Sequence, residues 1–345
     1  LLLIELVDGE VDTGDAVVED PTRIRPDLEN VLYLQSLASD EARAKNDPAF
    51  TRRLQRRYER GYRSARENVN DLVDEGTFVE YGRLRIAGQR KRLPLDVLRK
   101  TTPADGIITG FCKINSDLIG EEKSDAVSIV YDYSVLAGTQ GFFHHMKLDR
   151  ICEKAKEFKL PIVIYTEGGG GRPGDTDVTT SVAGLHVPSF STWARLSGQC
   201  LRIAVNNGYC FAGNVVLLGA CDVIIATEDS SLGVGGPALI EGGGLGVFAP
   251  SEVGPVSIQE PNGVIDVVVK DEIEATDVAR RNLSYFQGRV NTWKANDQRK
   301  LRHIVPENRR AIYSVREVIE TLADEGSVME LRPKIGLAMV TAFIR

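Results

Sequence analysis

Two runs of small residues, each directly after an apolar run, constrain this chain more than any other feature. The first, Thr166-Glu-Gly-Gly-Gly-Gly-Arg-Pro-Gly174, follows Pro161–Tyr165, and the second, Gly208-Tyr-Cys-Phe-Ala-Gly-Asn214, follows Leu201–Val205. Turns of this kind bare backbone N–H groups, and the apolar helix predicted at 212–220 adds the positive end of its dipole. Two such turns in neighbouring strand-to-helix units predict a site that holds a developing oxyanion on backbone groups.

Strands alternate with helices around these turns, which predicts an α/β fold with a mixed sheet and parallel crossovers. The predicted strands are 83–87, 106–114, 127–133, 160–165, 201–205 and 223–226, and the predicted helices are 47–72, 142–158 and 212–220. The first helix carries a basic stripe made of Arg52, Arg53, Arg56, Arg57, Arg60 and Arg63. A solvated face is the simple interpretation of this stripe, and docking of a phosphate-bearing ligand or an acidic partner is the alternative.

An internal repeat predicts duplicated lobes. Leu72-Val-Asp-Glu-Gly-Thr-Phe-Val-Glu80 recurs as Leu322-Ala-Asp-Glu-Gly-Ser-Val-Met-Glu330, and Ile108-Thr-Gly-Phe111 is echoed by Val340-Thr-Ala-Phe343. Each longer copy follows a helical pattern, as a repeated structural unit requires. On this basis the second lobe has only begun when the sequence reaches Arg345.

Composition argues against several partners. The net charge of −7 disfavours nonspecific binding to nucleic acid, and no apolar run approaches the roughly 20 residues that span a bilayer. The five cysteines form no C-x-x-C pair, which predicts free thiols in a reducing compartment, by default the cytoplasm. The adjacent His144 and His145 point in different directions on a helix, so we predict no metal site.

Other motifs give weaker signals. Gly169-x-Gly171-x-x-Gly174 matches a dinucleotide-binding pattern, but Pro173 stands where that pattern needs a helix. No G-x-S-x-G string supports a serine hydrolase. The candidate acids and bases near the turns are Asp175, Asp177, His186 and Glu241, and each is more simply interpreted as a surface or loop residue. Their weakness as candidates suits chemistry in which the cosubstrate supplies the base.

The residues at the turns have two interpretations each. Arg172 either anchors a carboxylate or phosphate or caps its own loop. Ala212-Gly213-Asn214 is either an oxyanion turn or a plain helix start capped by Asn214, and its pairing with the first turn favours the oxyanion site.

The order of the motifs resembles the carboxyltransferase component of biotin-dependent acyl-CoA carboxylases, a branch of the crotonase superfamily. The matching pieces are Asp74–Glu80, Thr102–Ile107, Asp132–Gly138, Gly169–Arg172, Gly208–Gly213 with Asp222, Gly235–Pro237 and Asn262–Asp266. They cover about residues 72–286, the first lobe of that family. Departures include Asn214 in place of a second glycine and the string Glu241-Gly-Gly-Gly-Leu-Gly-Val-Phe248, for which we expect room for a larger acyl chain.

The resemblance implies a crotonase-like spiral of β-β-α units, with coenzyme A bound by the first lobe and carboxybiotin by the second. It implies that Gly170, Gly171, Gly213 and Asn214 supply the catalytic N–H groups, and that Gly169, Arg172, Ala212, Gly235 and Gly236 line the substrate. The implied boundaries are a strand and linker at 1–45, which resembles the end of a biotinyl carrier module, a first lobe at 46–305 and the start of a second at 306–345.

The predicted reaction moves a carboxyl group from carboxybiotin, borne by a carrier domain, to the α-carbon of an acyl-CoA. ATP is needed only at a biotin carboxylase component, which is either in the same chain or separate. The resemblance also implies a homo-oligomer and a role for the Arg52–Arg63 stripe in holding the phosphates of coenzyme A. The alternatives are an enoyl-CoA hydratase or isomerase, a biotin-dependent decarboxylase, and a non-catalytic scaffold lobe that binds coenzyme A.

Overall fold

The computed structural model describes residues 25–178 and 187–345, which contain both strands and helices. The strands are β1 (Val79–Tyr81), β2 (Ile107–Lys113), β3 (Asp125–Tyr131), β4 (Ile162–Tyr165), β5 (Arg202–Asn206), β6 (Tyr209–Phe211), β7 (Val223–Thr227), β8 (Ser231–Gly233), β9 (Val267–Val269), β10 (Met329–Leu331) and β11 (Thr341–Phe343). The helices are α1 (Pro26–Ser36), α2 (Asp40–Asn46), α3 (Pro48–Tyr58), α4 (Ala65–Leu72), α5 (Leu95–Thr101), α6 (Ser116–Ile119), α7 (Phe142–Phe158), α8 (Ser189–Ala194), α9 (Gly213–Gly219), α10 (Pro237–Gly242), α11 (Val256–Gln259), α12 (Glu272–Ser284), α13 (Leu301–Ile304) and α14 (Val315–Leu322).

A seven-stranded mixed sheet in the order β1-β2-β3-β4-β5-β7-β9 forms the centre of the fold. The first three strands pair antiparallel, and the strands from β3 to β9 pair parallel. Every residue of β4, β5 and β7 is buried. Continuous burial of this kind is typical of parallel strands that helices cover on both faces.

Helices cover the two faces of the sheet in two apolar cores. On one face, α4 and α12 pack against β5 and β7 through Val69, Leu72, Ala275, Ala279, Leu283, Ile203, Val205 and Ile225. On the other face, α7, α8 and α9 contribute Leu148, Ile151, Ala155, Trp193, Leu217 and Leu218. The sheet is therefore closed to water on both sides, and access to it is restricted to the ends of the strands.

Two consecutive β-β-α units build the region of the glycine turns. In the first unit β5 lies in the large sheet, β6 in a small parallel sheet, and α9 follows; in the second, β7, β8 and α10 repeat the pattern. Because β6 pairs with β8, the two units are stacked side by side. These two units match the spiral of β-β-α units that the resemblance implies.

Most of the predicted elements are confirmed, and two are wrong. The helix predicted at 142–158 is α7 with the same bounds, and the strands predicted from 106 to 226 correspond to β2, β3, β4, β5 and β7. The helix predicted at 47–72 is instead two helices, α3 and α4, because the chain turns at Gly61 with a φ of 77°. Residues 83–87 form turns rather than a strand, and β1 lies earlier in the chain.

The internal repeat is structural as well as sequential. Ser64 caps α4 and Ser314 caps α14, in each case by accepting from the N–H of the glutamate three residues later. The following strand pairs antiparallel in both copies, with Val79 opposite Phe111 and Met329 opposite Phe343. Equivalent residues thus form equivalent elements in both copies.

Before the first lobe, the strand predicted at 1–10 lies outside the described residues. The described part of segment 1–45 includes α1 and most of α2, whose Arg43 forms a buried ion pair with Asp132 at 2.8 Å. None of the described helices is long and apolar enough to cross a membrane. The five cysteines are free thiols, and residues 25–178 and 187–345 hold no group of three or more metal-ligating side chains.

Candidate functional site

The first glycine turn leaves the carboxyl end of β4 and is held by its own backbone. The Gly168 N–H donates to the carbonyl of Tyr209 at 2.8 Å, and the Gly169 N–H donates to the carbonyl of Ala137 at 3.1 Å. Gly170 has a φ of 89°, a conformation that residues with a Cβ rarely adopt. In this loop Gly168 and Gly169 have defined hydrogen-bond partners and Gly170 has a defined dihedral angle.

The second glycine turn connects β6 to α9 through a strained alanine. Ala212 has a φ of 51° and a ψ of −122°, and its N–H donates to the carbonyl of Gly233 at 3.1 Å. Backbone strain of this kind persists where the surrounding structure holds it, and such positions cluster at functional sites. The N–H groups of Gly213 and Asn214 have no partner among the described residues, as expected at a helix start.

The two turns touch at Gly170. A Cβ added to Gly170 would lie 2.6 Å from the Cβ of Ala212 and 3.5 Å from the nitrogen of Gly213, so only glycine fits. The Gly170 N–H already donates to Oδ1 of Asn214 at 3.0 Å. The structure therefore brings the predicted donors together, but it removes the Gly170 N–H from the set that is free to meet a ligand. Within the described part of the chain, Gly171, Gly213 and Asn214 retain unpaired N–H groups.

Arg172 is buried and fully engaged by the protein. Its guanidinium pairs with Asp105 at 2.5 Å and donates to the carbonyl of Thr139 at 2.7 Å. Its third nitrogen lies 3.3 Å from the Thr139 hydroxyl. Of the two interpretations of Arg172, these contacts favour the residue that closes its own loop.

Of the predicted acids and bases, Asp175 reaches the first turn, where its carboxylate lies 3.5 Å from the Arg172 guanidinium. Asp175 accepts from the Phe142 N–H at 3.0 Å at the start of α7, and Asp177 accepts from the backbone of residues 90 and 91. Glu241 is exposed on α10. His186 lies outside the described residues. The two aspartates serve as loop clamps, which leaves no carboxylate from this set beside the free N–H groups.

Gly235 and Gly236 lie at the far side of the second turn. A Cβ on Gly236 would meet the ring of Phe211 at 3.5 Å, and one on Gly235 would meet Leu239 at the same distance. Both distances are ordinary van der Waals contacts, so the space at these two positions does not require glycine.

A cavity of about 460 Å³ opens beside the first turn. Its walls come from α3, the turn at 133–137 and the residues that flank both glycine turns, namely Arg53, Arg56, Arg57, Arg60, Tyr62, Gln89, Leu93, Thr101, Thr102, Tyr133, Ser134, Leu136, Ala137, Glu167 and Tyr209. Two of these residues, Ala137 and Tyr209, accept the hydrogen bonds of the first turn, so the cavity and the turn share a wall.

The charges of the cavity are unevenly paired. Arg53 pairs with Asp47 at 3.1 Å, and Arg57 makes a two-pronged contact with Glu167 at 3.1 and 2.8 Å. Arg56 and Arg60 are exposed, and neither forms an ion pair within the described residues. Two unpaired guanidinium groups at the rim of a cavity are suited to a phosphate-bearing ligand.

Glu167 is a functional candidate that the sequence patterns did not single out. Desolvation by burial raises the pKa of Glu167 to about 7, although Arg57 opposes the shift. In the sequence, Glu167 lies between β4 and the four glycines, and this position is the only feature that could have marked it as a site residue. Its carboxylate becomes a candidate because α3 folds over the turn and brings Arg57 into contact with it.

The Carboxyl transferase domain family matches residues 56–345. The methylmalonyl-CoA carboxyltransferase 12S subunit of Propionibacterium freudenreichii subsp. shermanii is 28% identical over 85% of this chain and 55% of its own length. The biotin-dependent long chain acyl-coenzyme A carboxylase beta4 subunit of Mycobacterium tuberculosis is 27% identical over 87% of this chain and 56% of its own length.

Solved structures agree with the family match. A single-chain, multi-domain long-chain acyl-CoA carboxylase superposes with a TM-score of 0.86 and 48% identity, covering 94% of this chain and 31% of that one. A transcarboxylase 12S structure with methylmalonyl-CoA bound superposes with a TM-score of 0.71 and 27% identity, covering 85% and 56%.

The chain belongs to the carboxyl transferase domain family, and its fold is the crotonase-like fold of that family. It spans about half the length of the curated relatives that it matches.

Proposed function

We propose that this chain is the acyl-CoA-binding lobe of a biotin-dependent acyl-CoA carboxyltransferase, which moves a carboxyl group from carboxybiotin to the α-carbon of an acyl-CoA. The observation that carries the proposal is the cavity with unpaired Arg56 and Arg60 that shares a wall with two touching glycine turns. A coenzyme A thioester has both of the features that this arrangement suits, a phosphate-rich end and a reactive carbonyl.

The charged end of the substrate would meet Arg56 and Arg60, because guanidinium groups form short, charge-assisted hydrogen bonds with phosphate. The thioester oxygen would meet the N–H groups of Gly171, Gly213 and Asn214, which stabilise negative charge as the α-proton leaves. Carboxybiotin would supply the carboxyl group, and the biotin nitrogen left after loss of carbon dioxide would take the α-proton. The protein's part in this scheme is to hold the thioester and to offer preorganised donors where charge develops.

A long-chain acyl-CoA is the substrate class that we favour. The superposed structure at 48% identity is that of a long-chain acyl-CoA carboxylase, and the beta4 relative is named for long chains. The segment after Gly236 supports the same choice, because it contains four glycines at 242–246 and exposed apolar side chains at Leu239 and Leu245. Such a segment can offer both space and apolar contact to an extended chain.

The complete enzyme would need a biotin carboxylase, which uses ATP, and a biotin carboxyl carrier domain. Domains in one chain are consistent with the single-chain, multi-domain relative. A homo-oligomer is supported by the large exposed apolar side chains Leu239, Leu245 and Val247 and by the hexamer named for the 12S relative. Five free thiols are consistent with a reducing compartment such as the cytoplasm.

One observation favours a second candidate, an enoyl-CoA hydratase or isomerase that works without biotin. Such an enzyme needs a carboxyl group beside the thioester, and Glu167, whose pKa is raised to about 7 by burial, lines the same cavity. The bidentate contact with Arg57 argues for a structural carboxylate instead.

The experiment that separates these candidates is a carboxyl-transfer assay with the complete enzyme. Malonyl-CoA, methylmalonyl-CoA and a long-chain carboxyacyl-CoA are each offered with free biotin, and release of the acyl-CoA is followed. We expect biotin-dependent release that is fastest with the long chain. Release that does not need biotin would indicate a decarboxylase of the crotonase type, and no turnover would leave a scaffold lobe. An enoyl-CoA is offered without biotin in a parallel assay, and its hydration would support the second candidate.

A further inference from the structure

Asn214 is fully buried, and its side chain links three parts of the candidate site. Its Oδ1 accepts from the Gly170 N–H at 3.0 Å, and its Nδ2 donates to the carbonyls of Thr166 at 3.1 Å and Gly138 at 3.3 Å. Thr166 and Gly170 belong to the first glycine turn, whereas Asn214 belongs to the start of α9. One side chain thus fastens the first turn to the backbone of the second.

This fastening decides which N–H groups face outward. Gly171 is bracketed by a parallel bridge to Gln140, because Gln140 donates to the Gly170 carbonyl at 2.7 Å and accepts from the Arg172 N–H at 2.9 Å. Successive N–H groups of an extended chain point to opposite sides, so the Gly171 N–H points away from Gln140. With the Gly170 N–H consumed by Asn214, the Gly171 N–H is the donor that the first turn can offer.

A second polar atom marks the same place. Oε1 of the buried Gln140 has no hydrogen-bond partner within the described residues, and a Cβ on Gly213 would run into it. Because this amide oxygen accepts hydrogen bonds, it would be met by a donor on a bound molecule and would repel a developing oxyanion. It lies beside the start of α9, where the free Gly213 N–H is the group that can stabilise negative charge.

We propose that Asn214 is a positioning residue for carboxyl transfer: it holds the two turns so that the Gly171 and Gly213 N–H groups act together on the thioester oxygen. The inference rests on the proposed function and refines it, because it excludes Gly170 as a donor and gives Asn214 a role through its side chain. Asn214 acts on the donors, and its carboxamide touches no substrate.

The test replaces Asn214 in the complete enzyme and compares steady-state constants with free biotin as the acceptor. Asn214→Ala removes all three contacts, and we expect kcat to fall about 100-fold, the loss that follows a displacement of about 1 Å in a catalytic group. The KM for the carboxyacyl-CoA should change less than about threefold, because the arginine contacts are untouched.

Asn214→Asp supplies a conservative variant with a pH signature. Its carboxylate would face the carbonyl oxygens of Gly138 and Thr166, so the ionised form is repelled and the protonated form can donate to one of them. We expect kcat of this variant, relative to wild type, to rise as the pH is lowered from 8 to 6. A fall or a flat profile would contradict the positioning role.

The matched control is Asn282→Ala, since Asn282 is equally buried but lies on α12, where it donates to the sulfur of Met329. This variant should lose thermal stability without a change in kcat. If Asn214→Ala likewise lost only stability, the positioning role would be overturned while the proposed function stood. If wild-type enzyme transferred no carboxyl group to biotin, the proposed function itself would fail, and the positioning role with it.

Discussion

At the scale of single residues, the site is governed by which polar groups are already paired. Partners inside the protein pair with the polar groups of Arg57, Arg172 and Asn214. Within the described residues, no ion pair involves Arg56 or Arg60. A buried polar group without a hydrogen-bond partner destabilises the fold, and most buried polar groups in native proteins are therefore paired. Groups that remain unpaired at a cavity rim are therefore the better candidates for ligand contact.

The double variant Arg56→Ala/Arg60→Ala should raise the KM for acyl-CoA about tenfold or more, equivalent to at least ~1.4 kcal/mol of lost binding. The value of kcat should be nearly unchanged, because the phosphates are remote from the reacting carbonyl. The measurement is the KM of acyl-CoA beside that of the matching acyl-pantetheine, which lacks the nucleotide and should show no effect. Arg52→Ala is the control, since Arg52 lies on the same helix but does not line the cavity. An equal loss with acyl-pantetheine would contradict the phosphate assignment.

Glu167→Gln should remove a pH dependence from substrate binding. Burial raises the pKa of Glu167 to about 7, so the wild-type carboxylate gains a proton as the pH falls from 8 to 6. Protonation removes the nearest negative charge from Arg57, and we expect the wild-type KM for acyl-CoA to fall relative to that of the variant. Glu272 and Asp132 also face this pair, and their charges raise the pKa of Glu167 further.

The same pair has a consequence for stability. Because the folded-state pKa lies above the ordinary value of 4.5, the ionised carboxylate disfavours folding as the pH rises from about 4.5 to 7. Across that pH window the free energy of unfolding of the variant should increase relative to that of the wild type, by up to about 3 kcal/mol. A constant difference in Tm between the two proteins from pH 5 to 8 would show that Glu167 does not titrate in this range.

At the scale of elements, the repeat shows how one local sequence specifies one local structure. In each copy a serine caps a short amphipathic helix, a glycine turn follows, and an arginine of the helix pairs with the glutamate of the next strand. Arg66 binds Glu80 and Arg316 binds Glu330, both across 14 residues. Capping and spacing are local, so the unit recurs wherever its residues recur.

The two copies should differ in how much the cap contributes. Ser64 is buried and forms a full capping box with Glu67, whereas Ser314 is exposed and its bond to the Glu317 N–H is 3.4 Å long. Ser64→Ala should therefore cost about 1 kcal/mol, and Ser314→Ala should cost less than about half of that. Hydrogen exchange of the α4 and α14 amides measures both locally, and equal losses would show that burial does not strengthen the cap.

At the scale of the whole molecule, the site lies where the parallel strands end and where helices from the start of the chain fold over them. Helix α10 and the residues that follow it leave Leu239, Leu245 and Val247 between 67% and 78% exposed. Apolar side chains grouped in this way mark interaction surfaces more often than free solvent contact. A second copy of the chain is the partner that the proposed homo-oligomer supplies.

Leu245→Glu combined with Val247→Glu should shift the complete enzyme to a smaller species, because two charges cannot be buried at an apolar interface without partners. Sedimentation velocity measures the change directly. Leu118→Glu, at a similarly apolar but distant and 40% exposed position, serves as the control and should leave the assembly intact. An unchanged sedimentation coefficient for the double variant would place the subunit contact elsewhere.

The local elements of this protein could be predicted from the sequence because each depends on neighbours in the chain. The 3.6-residue period defines α7, the β-branched runs define β4, β5 and β7, and the turns need glycine at Gly170 for its dihedral angle. The break at Gly61 was missed because the apolar period continues across it while the chain direction does not.

The pairing of polar groups was decided only by the tertiary structure. Arg172 meets Asp105 across 67 residues, and Arg57 meets Glu167 across 110, so neither contact has a local signature. The sequence by itself determined that two glycine turns would follow neighbouring strands and that N–H groups would be bared there. Which of those N–H groups stayed free depended on a side chain from the other turn, Asn214, because a hydrogen bond is assigned by distance in space and not by distance along the chain.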